Sequence, residues 1–237
     1  MEIMRFFYQR RCPVCEEILP DLPGKNNRNV CLKCNVKLHY IGTPRCLKCG
    51  KQIYSMNEEY CSDCQNKAHL FKQGISVFAY DEKIKQTMYR FKYSNRREYA
   101  EFFGSAIAQR HGCLIRRWKP QVIIPVPLYK IKYRKRGYNQ AGLIADVLGR
   151  NLNIPVEHKI LIRTRMTRAM KELNDEERVK NLQNAFKLTT NIVEYKKVLL
   201  VDDIYTTGAT IDACCEALIA GGAEEIYFAS ACIGNGF

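Results

Sequence analysis

The chain has 237 residues, of which 46% are hydrophobic, and its 38 Lys and Arg residues outnumber its 24 Asp and Glu residues to give a formal net charge of +14. This length and hydrophobic content suit one α/β domain with a small additional module. No stretch approaches the run of about 18 apolar residues that a transmembrane helix needs, and the N-terminal residues lack a signal-peptide core. We therefore expect a cytoplasmic protein without membrane insertion.

The N-terminal region carries cysteine pairs with the spacing of zinc ligands. Eight of the twelve cysteines form four Cys-x-x-Cys pairs, which are Cys12/Cys15, Cys31/Cys34, Cys46/Cys49 and Cys61/Cys64. Two thiolates at this spacing can bind one tetrahedral ion, and two pairs complete a closed Cys₄ site. The pattern predicts a double zinc ribbon over residues 1–70 that holds two structural Zn²⁺ ions, followed by a second domain over residues 71–237.

The cysteine spacing leaves both the pairing and the occupant open. Consecutive pairs can share an ion, which makes two separate ribbons, and an interleaved cross-brace has equally compatible spacing. An iron–sulfur cluster is the competing occupant, whereas disulfides fit a reducing compartment poorly.

The basic charge of the chain is concentrated in one segment. Eight bound thiolates and two Zn²⁺ ions would still leave a net charge of about +10. Between Lys83 and Arg136, fifteen Lys or Arg residues stand against two acids, Glu98 and Glu101. Such a concentration of positive charge predicts a polyanionic partner.

Aromatic residues alternate with cations in part of this segment, from Met88 to Tyr99. Surfaces that bind single-stranded nucleic acid combine aromatic rings for base stacking with cations for phosphate neutralisation. The candidates for binding single-stranded DNA are therefore Arg90, Lys92, Tyr93, Arg96 and Arg97. The alternative is a helix whose aromatic residues Tyr89, Phe91 and Tyr93 face the core while its cations are solvated.

After the cysteine pairs, strand-like apolar runs alternate with helical runs, which predicts an α/β domain with a parallel sheet. The predicted strands cover residues 74–80, 122–127, about 155–162, 197–201 and 226–231. The predicted helices cover residues 83–93, 98–110, 141–151, 175–184 and 211–220. In a doubly wound sheet, loops at the carboxyl ends of neighbouring strands line one crevice, where we expect the functional site.

Two basic connections can reach this crevice. The first, residues 128–140, follows a strand that ends in prolines, and we predict a basic loop whose cations can face the loop after Asp202 and Asp203. Its cations are Lys130, Lys132, Arg134, Lys135 and Arg136. The second, residues 163–174, has the composition of a mobile flap that closes over a site, with an exposed connector as the alternative.

The most specific motif is the run Val198–Thr210, in which an apolar strand leads into two acids and a hydroxyl-rich loop. The loop consists of Thr206, Thr207, Gly208, Ala209 and Thr210. Its backbone N–H groups lie near a helix N-terminus, and with the threonine hydroxyls they suit a phosphate dianion. Asp202 and Asp203 would repel that phosphate unless the ligand placed neutral hydroxyls or a metal above them. A ribose 5-phosphate meets both conditions; an ordinary strand–turn–helix with an acidic strand end is the alternative.

This run resembles the phosphoribosyl-diphosphate (PRPP) binding motif of type I phosphoribosyltransferases over thirteen contiguous positions. The resemblance implies a Rossmann-like, type I phosphoribosyltransferase-like domain in which Asp202 and Asp203 hold the ribose hydroxyls and residues 206–210 hold the 5′-phosphate. It also implies Mg²⁺ bound together with PRPP. The candidates for binding the diphosphate are then Lys130, Arg134, Arg136 and Arg165.

Nearly the whole chain resembles the ComF (ComFC) family of competence proteins. The features that carry the resemblance are the Cys-x-x-Cys pairs, Ile124–Leu128, Arg134–Gln140, the Arg165-x-Thr167 run and Val201–Thr210. The family implies a role in natural transformation, in which the protein handles single-stranded DNA beside a ComFA-type helicase and other competence proteins. Met170 stands where family members often have Gln, which removes the support for a polar contact of the flap at that position.

Three functions from different classes follow from these features. The first is a PRPP-binding protein that handles single-stranded DNA during DNA uptake, with phosphoribosyltransferase activity on an unknown acceptor left open. The second is a conventional phosphoribosyltransferase of nucleotide metabolism, and the third is a non-catalytic zinc-ribbon adaptor with a vestigial PRPP site. The basic aromatic segment favours the first over the second, and the intact acid pair and Thr-Thr-Gly loop count against the third.

Overall fold

A computed structural model of the chain describes residues 9–20, 29–165, 184–189 and 194–234. Its helices are α1 (Leu32–Asn35), α2 (Ser62–Asn66), α3 (Glu82–Tyr93), α4 (Tyr99–Trp118), α5 (Lys130–Arg136), α6 (Gln140–Leu152) and α7 (Ala209–Ala220). Its strands are β1 (Gln73–Ala79), β2 (Val122–Pro125), β3 (Leu161–Arg163), β4 (Phe186–Leu188), β5 (Lys197–Tyr205) and β6 (Glu225–Ile233). Residues 166–174 of the predicted flap and residues 175–183 of the predicted helix lie outside the described residues. Within the described ranges, no helix is long and apolar enough to cross a membrane.

Four parallel strands form the central sheet in the order β1–β6–β5–β2. Both faces of a parallel sheet have to be covered, and alternate side chains of β5 enter two separate cores. Leu199 and Val201 pack with α3, α4 and α6. Val198 and Leu200 pack on the other face with α7 and with the cysteines Cys46, Cys49 and Cys61. The predicted class, an α/β domain with a parallel sheet after a cysteine-rich ribbon module, is confirmed.

The central strand β5 is longer than the sequence pattern indicates. The apolar run ends at Val201, but β6 provides hydrogen bonds along the whole strand and its register places Tyr205 opposite Ile233. Asp202 and Asp203 therefore lie within β5, at its carboxyl end, and not in the loop that follows. Their backbone is fixed by the sheet.

Two other predicted elements differ from the structure. Residues 128–140, predicted as a loop, contain the short helix α5, which ends at Gly137 in a left-handed conformation. The strand predicted near residues 155–162 is two separate pieces. Val156 forms a single parallel bridge to Ile123, and β3 pairs with β4 in a small antiparallel ribbon outside the main sheet.

The eight paired cysteines gather into two groups, and the groups combine consecutive pairs. In each group the four sulfur atoms lie within 4.8 Å of one another. The first group consists of Cys12, Cys15, Cys31 and Cys34, and the second of Cys46, Cys49, Cys61 and Cys64. The structure thus has consecutive pairing and not the interleaved cross-brace. Two Cys₄ groups are the donor sets of two structural zinc ions.

The cysteine module packs directly on the sheet and its helices. Between the two ribbons, Tyr40 forms an antiparallel bridge with Phe78 of β1, and backbone hydrogen bonds of 2.8 and 2.9 Å join Ile41 to Val77 and Ala79 to His39. This segment covers the free edge of β1, which would otherwise expose unpaired backbone groups. The zinc ribbons and the sheet consequently share hydrogen bonds as well as apolar contacts.

Metal analysis of freshly purified, unchelated protein should find two zinc ions per chain, one for each Cys₄ group. Cys61→Ser removes a thiolate from the second group and should leave about one zinc ion, because three protein ligands do not close a structural site. Cys113 is exposed and belongs to neither group, so Cys113→Ser should keep both ions. Fewer than two zinc ions in the wild-type protein would contradict two closed sites.

Candidate functional site

A cleft of about 920 Å³ opens at the carboxyl ends of β5 and β2. One wall is α3, a second is α5, and the floor is the end of β5 with the residues that begin α7. The acids Asp202 and Asp203 and the hydroxyls of Thr206 and Thr210 all line this cleft. It lies where a doubly wound sheet is expected to bind a ligand, outside the carboxyl ends of its strands.

The two acids of the cleft interact with each other through a hydrogen bond and through their charges. The backbone N–H of Asp203 donates to Asp202 Oδ1 at 2.8 Å, so the Asp202 carboxylate is held against the backbone of the next residue. Burial, together with the negative charge of Asp203, raises the pKa of Asp202 to about 8. The raised pKa favours the uncharged form of Asp202, which reduces the repulsion between this side chain and an anionic ligand.

Lys92 of α3 reaches into the cleft and binds the second acid. Its Nζ lies 2.7 Å from Asp203 Oδ2, and both side chains are largely buried. Burial would lower the pKa of Lys92, but the charge of Asp203 and the hydrogen bond to it outweigh this effect, and the pKa is raised. Lys92 thus remains an ammonium ion inside the cleft and compensates the acid pair.

Further cations line the same cleft. They are Lys85 of α3, Lys132, Lys135 and Arg136 of α5, and Arg163 of β3. Burial lowers the pKa of Lys132, and the positive charges of Arg163 and Arg136 lower it further. Burial also lowers the pKa of Arg163. Positive charges that destabilise one another in a cleft are a site for a polyanion.

The turn between β5 and α7 has the form of a phosphate loop. Gly208 precedes the first residue of α7 and has a φ of 81°. A side chain there would be strained by this φ, and its Cβ would lie 2.6 Å from His69 Cε1 and 2.7 Å from the Tyr205 hydroxyl. The N–H groups of the first turn of α7 have no partners within the helix, so they are available to an anion in the cleft.

The second zinc ribbon supports this turn from behind. After the last cysteine pair, His69 Nδ1 lies 2.8 Å from Asp212 Oδ2, and the backbone N–H of Leu70 donates to Asp212 Oδ1 at 3.1 Å. The Lys67 ammonium lies 3.7 Å from the same carboxylate. Asp212 belongs to the first turn of α7, and the His69 side chain is fully buried against Gly208. The sequence pattern gave no sign of this contact, because its partners are 143 residues apart.

The structure separates the predicted diphosphate-binding residues. Arg136 lines the cleft, whereas Lys130 and Arg134 are exposed and are not among its lining residues. Arg165 is exposed at the end of a described range, and Arg163, two residues earlier, lines the cleft instead. The reason lies in α5: on a helix, residues three and four apart share a face, so Lys132, Lys135 and Arg136 point together.

Three of the predicted DNA-binding cations make contacts within the fold. Arg90 Nε lies 3.2 Å from Glu16 Oε2 in the first zinc ribbon, and the Arg96 guanidinium donates to Glu16 Oε1 at 3.1 Å. Arg97 lies over the Tyr138 ring at 4.9 Å and donates to the Gly137 carbonyl. These contacts dock the first ribbon onto α3 and onto the connection between α3 and α4, and they dock the end of α5 onto the same connection.

The two remaining DNA-binding candidates lie in the cleft. Lys92 is the partner of Asp203, as described above, and Tyr93 lines the cleft with its side chain exposed. Phe91, immediately before them in the chain, is fully buried in the core. The basic aromatic segment is therefore divided between the core, the zinc ribbon and the cleft.

Comparison with known proteins adds family information to this geometry. The double zinc ribbon domain matches residues 3–65, and the phosphoribosyl transferase domain matches residues 113–236. Competence protein F of Haemophilus influenzae is 34% identical over 71% of this chain and 76% of that protein. Competence protein ComFC of Bacillus subtilis is 30% identical over 84% of this chain and 81% of that protein. DNA utilization protein YhgH of Escherichia coli K12 is 28% identical over 70% of this chain and 74% of that protein.

The contact between His69 and Asp212 predicts a measurable loss of stability. His69→Ala should lower the free energy of unfolding by about 2–4 kcal/mol, because it removes a buried, charge-assisted hydrogen bond and leaves a cavity beside Phe71. Chemical denaturation of zinc-loaded protein measures this. His158 and Asp146 form a similar pair at 2.7 Å on the exposed surface, so His158→Ala should cost less than about 1 kcal/mol. Equal losses for both variants would contradict a supporting role for His69.

Proposed function

The chain belongs to the ComF/ComFC family of competence proteins, which join an N-terminal double zinc ribbon to a phosphoribosyltransferase domain, and from this premise we propose that its cleft binds PRPP and that the protein handles single-stranded DNA. The observation that carries the proposal is the arrangement of the cleft. A pair of carboxylates at the end of β5 faces a cluster of cations on α5 and β3, beside a turn built for phosphate. A ligand that fits all three must combine neutral hydroxyls with phosphate groups at both of its ends.

The ribose of PRPP matches the carboxylate pair. Carboxylate oxygens accept hydrogen bonds from the 2′- and 3′-hydroxyls, and such charge-assisted bonds are shorter and stronger than neutral ones. Asp203 already accepts such a bond from the Lys92 ammonium. A ribose that binds Asp203 would compete with Lys92 for this carboxylate, and the released ammonium would then face the phosphate groups of the ligand.

The 5′-phosphate fits the turn before α7. The Thr206 and Thr210 side chains line the cleft on either side of Gly208, whose lack of a side chain lets the backbone approach an anion closely. The N-terminus of α7 adds the positive end of a helix dipole. Thr207 and Ala209 would contribute backbone N–H groups to the same phosphate.

The diphosphate fits the cations of the opposite wall. Arg136 keeps its sequence-based role, and Lys132 and Lys135 take the place of Lys130 and Arg134, because these three residues share the face of α5 that lines the cleft. Arg163 lies on the same side. Mg²⁺ that enters with PRPP would neutralise part of the diphosphate charge, and Asp202 and Asp203 supply carboxylate oxygens of the kind it prefers.

The names of relatives support the DNA part of the proposal. Competence protein F and ComFC are named for competence, and YhgH is named for DNA utilization. We infer that this chain acts on single-stranded DNA in the cytoplasm, beside a ComFA-type helicase and other competence proteins. Turnover of PRPP is a separate question, and pyrophosphate release with and without single-stranded DNA would answer it.

Replacing both acids should weaken PRPP binding. Asp202→Asn with Asp203→Asn should weaken PRPP·Mg²⁺ binding by about tenfold or more, because the pair can then no longer accept a charge-assisted hydrogen bond from the ribose hydroxyls. Titration calorimetry measures the affinity, and circular dichroism checks the fold. Asp146→Asn, an exposed acid outside the cleft, should bind PRPP like the wild type. Unchanged affinity in the double variant would overturn the ribose assignment.

Binding of single-stranded DNA should depend steeply on salt. Each phosphate neutralised on a single strand contributes a slope of about −0.7 to log K against log salt concentration, so three to four contacts with cleft cations predict a slope of about −2 to −3. Fluorescence anisotropy of a labelled oligothymidylate between low and physiological salt measures this slope. Absent or salt-insensitive binding would remove the DNA part of the proposal.

A further inference from the structure

We propose that Tyr89 and Tyr93 form a stacking platform for a base of single-stranded DNA in the same cleft that holds the ribose site. This inference rests on the proposed function, which it extends by naming where the strand enters and what it contacts. It places the DNA base beside the PRPP site on α3, and not on the zinc ribbons.

The two tyrosines lie side by side on one face of α3. They are four residues apart, which places them on adjacent turns of the helix, and their ring centroids are 4.9 Å apart. Tyr89 is 63% exposed and Tyr93 is 53% exposed. Both line the cleft together with Asp203 and Thr206. An accessible aromatic pair therefore forms part of the cleft wall.

The core does not explain this pair. The buried face of α3 consists of Ile84, Thr87, Met88 and Phe91, and these side chains fill the contact with the sheet and α4. Of the three aromatic residues for which a core position was the alternative interpretation, Phe91 alone is buried. Tyr89 and Tyr93 stand on the other side of the helix, where an exposed aromatic cluster indicates a binding surface.

The surroundings of the pair are cationic, which identifies the ligand class. The Arg136 guanidinium lies 5.0 Å from the Tyr93 ring centroid and donates a hydrogen bond of 3.1 Å to its hydroxyl. Lys85, Lys132 and Lys135 line the same cleft. A ligand for this surface has a flat ring for the tyrosines and negative charge for the cations. A nucleotide unit of a single strand has both, and stacking on an aromatic side chain contributes about 1–3 kcal/mol per base.

Binding of a 2-aminopurine-labelled oligothymidylate to the zinc-loaded, full-length protein tests this inference. Stacking quenches the 2-aminopurine fluorescence, so the wild type should quench it on binding. Tyr89→Ala should weaken binding by about tenfold or more and remove most of the quenching. Tyr89→Phe keeps the ring and should restore both. Tyr89 is the better site for the substitution because Tyr93 also holds Arg136.

Two controls separate base stacking from phosphate contacts and from folding. An abasic strand of the same length carries the same charge, so it should bind the wild type and Tyr89→Ala equally. Tyr54, 84% exposed on the second zinc ribbon, provides the matched exposed tyrosine, and Tyr54→Ala should bind DNA like the wild type. A mononucleotide, dTMP, should bind far more weakly than the strand.

Several outcomes would overturn the inference. Wild-type affinity and quenching in Tyr89→Ala would show that the base lies elsewhere, and weakened binding in Tyr54→Ala would place the strand on the zinc ribbon. Binding of dTMP as tight as that of the strand would make a free nucleotide the occupant. Calorimetry of PRPP·Mg²⁺ with the wild type tests the proposed function by itself. If the wild type binds PRPP·Mg²⁺ but Tyr89→Ala leaves DNA binding and quenching unchanged, the stacking platform is wrong and the PRPP site stands.

Discussion

Two adjacent carboxylates at the end of one buried strand constrain everything around the cleft. The pairing of β5 with β6 continues through Asp202 and Asp203, so the backbone cannot move the two charges apart. Burial raises the pKa of Asp202, and Lys92 compensates Asp203. The ribose of the proposed ligand would have to displace Lys92 from Asp203. The phosphate groups of that ligand would then lie near the cations of α5 and β3.

The zinc ribbons belong to this site as structural supports. The second ribbon reaches α7 through His69 and Asp212 and closes the space behind Gly208, while the first ribbon is held on α3 by Arg90 and Glu16. The first ribbon thus supports the α3 wall of the cleft, and the second ribbon supports its floor. A small metal-stabilised module gains its folding energy from the ion, and here the module contacts the turn around Gly208 and the helix that carries Tyr89.

Local patterns in the sequence predicted the class of fold, the Cys-x-x-Cys pairs that supply two Cys₄ sites, and the strand that leads to the two acids, because each rests on short-range spacing. The spacing leaves open which cysteine pairs combine. Contacts between distant segments could not be predicted in this way. The docking of His69 on Asp212 needs the tertiary fold, and so does the use of Arg90 to bind a zinc ribbon. Residues 128–140 were predicted as a loop, in which no cation is favoured over another. The segment contains the helix α5, and its 3.6-residue period places Lys132, Lys135 and Arg136 on the face that lines the cleft.

A crystal structure of the protein with PRPP·Mg²⁺ tests the central claim most directly. We expect the 5′-phosphate on the turn around Gly208, the ribose hydroxyls on Asp202 and Asp203, and the Lys92 ammonium moved from Asp203 towards the ligand. The diphosphate should contact the α5 cations, with the Tyr89 ring still accessible beside it. A diphosphate held by the α5 cations, with the ribose turned away from both acids and no phosphate at the turn, would contradict the claim.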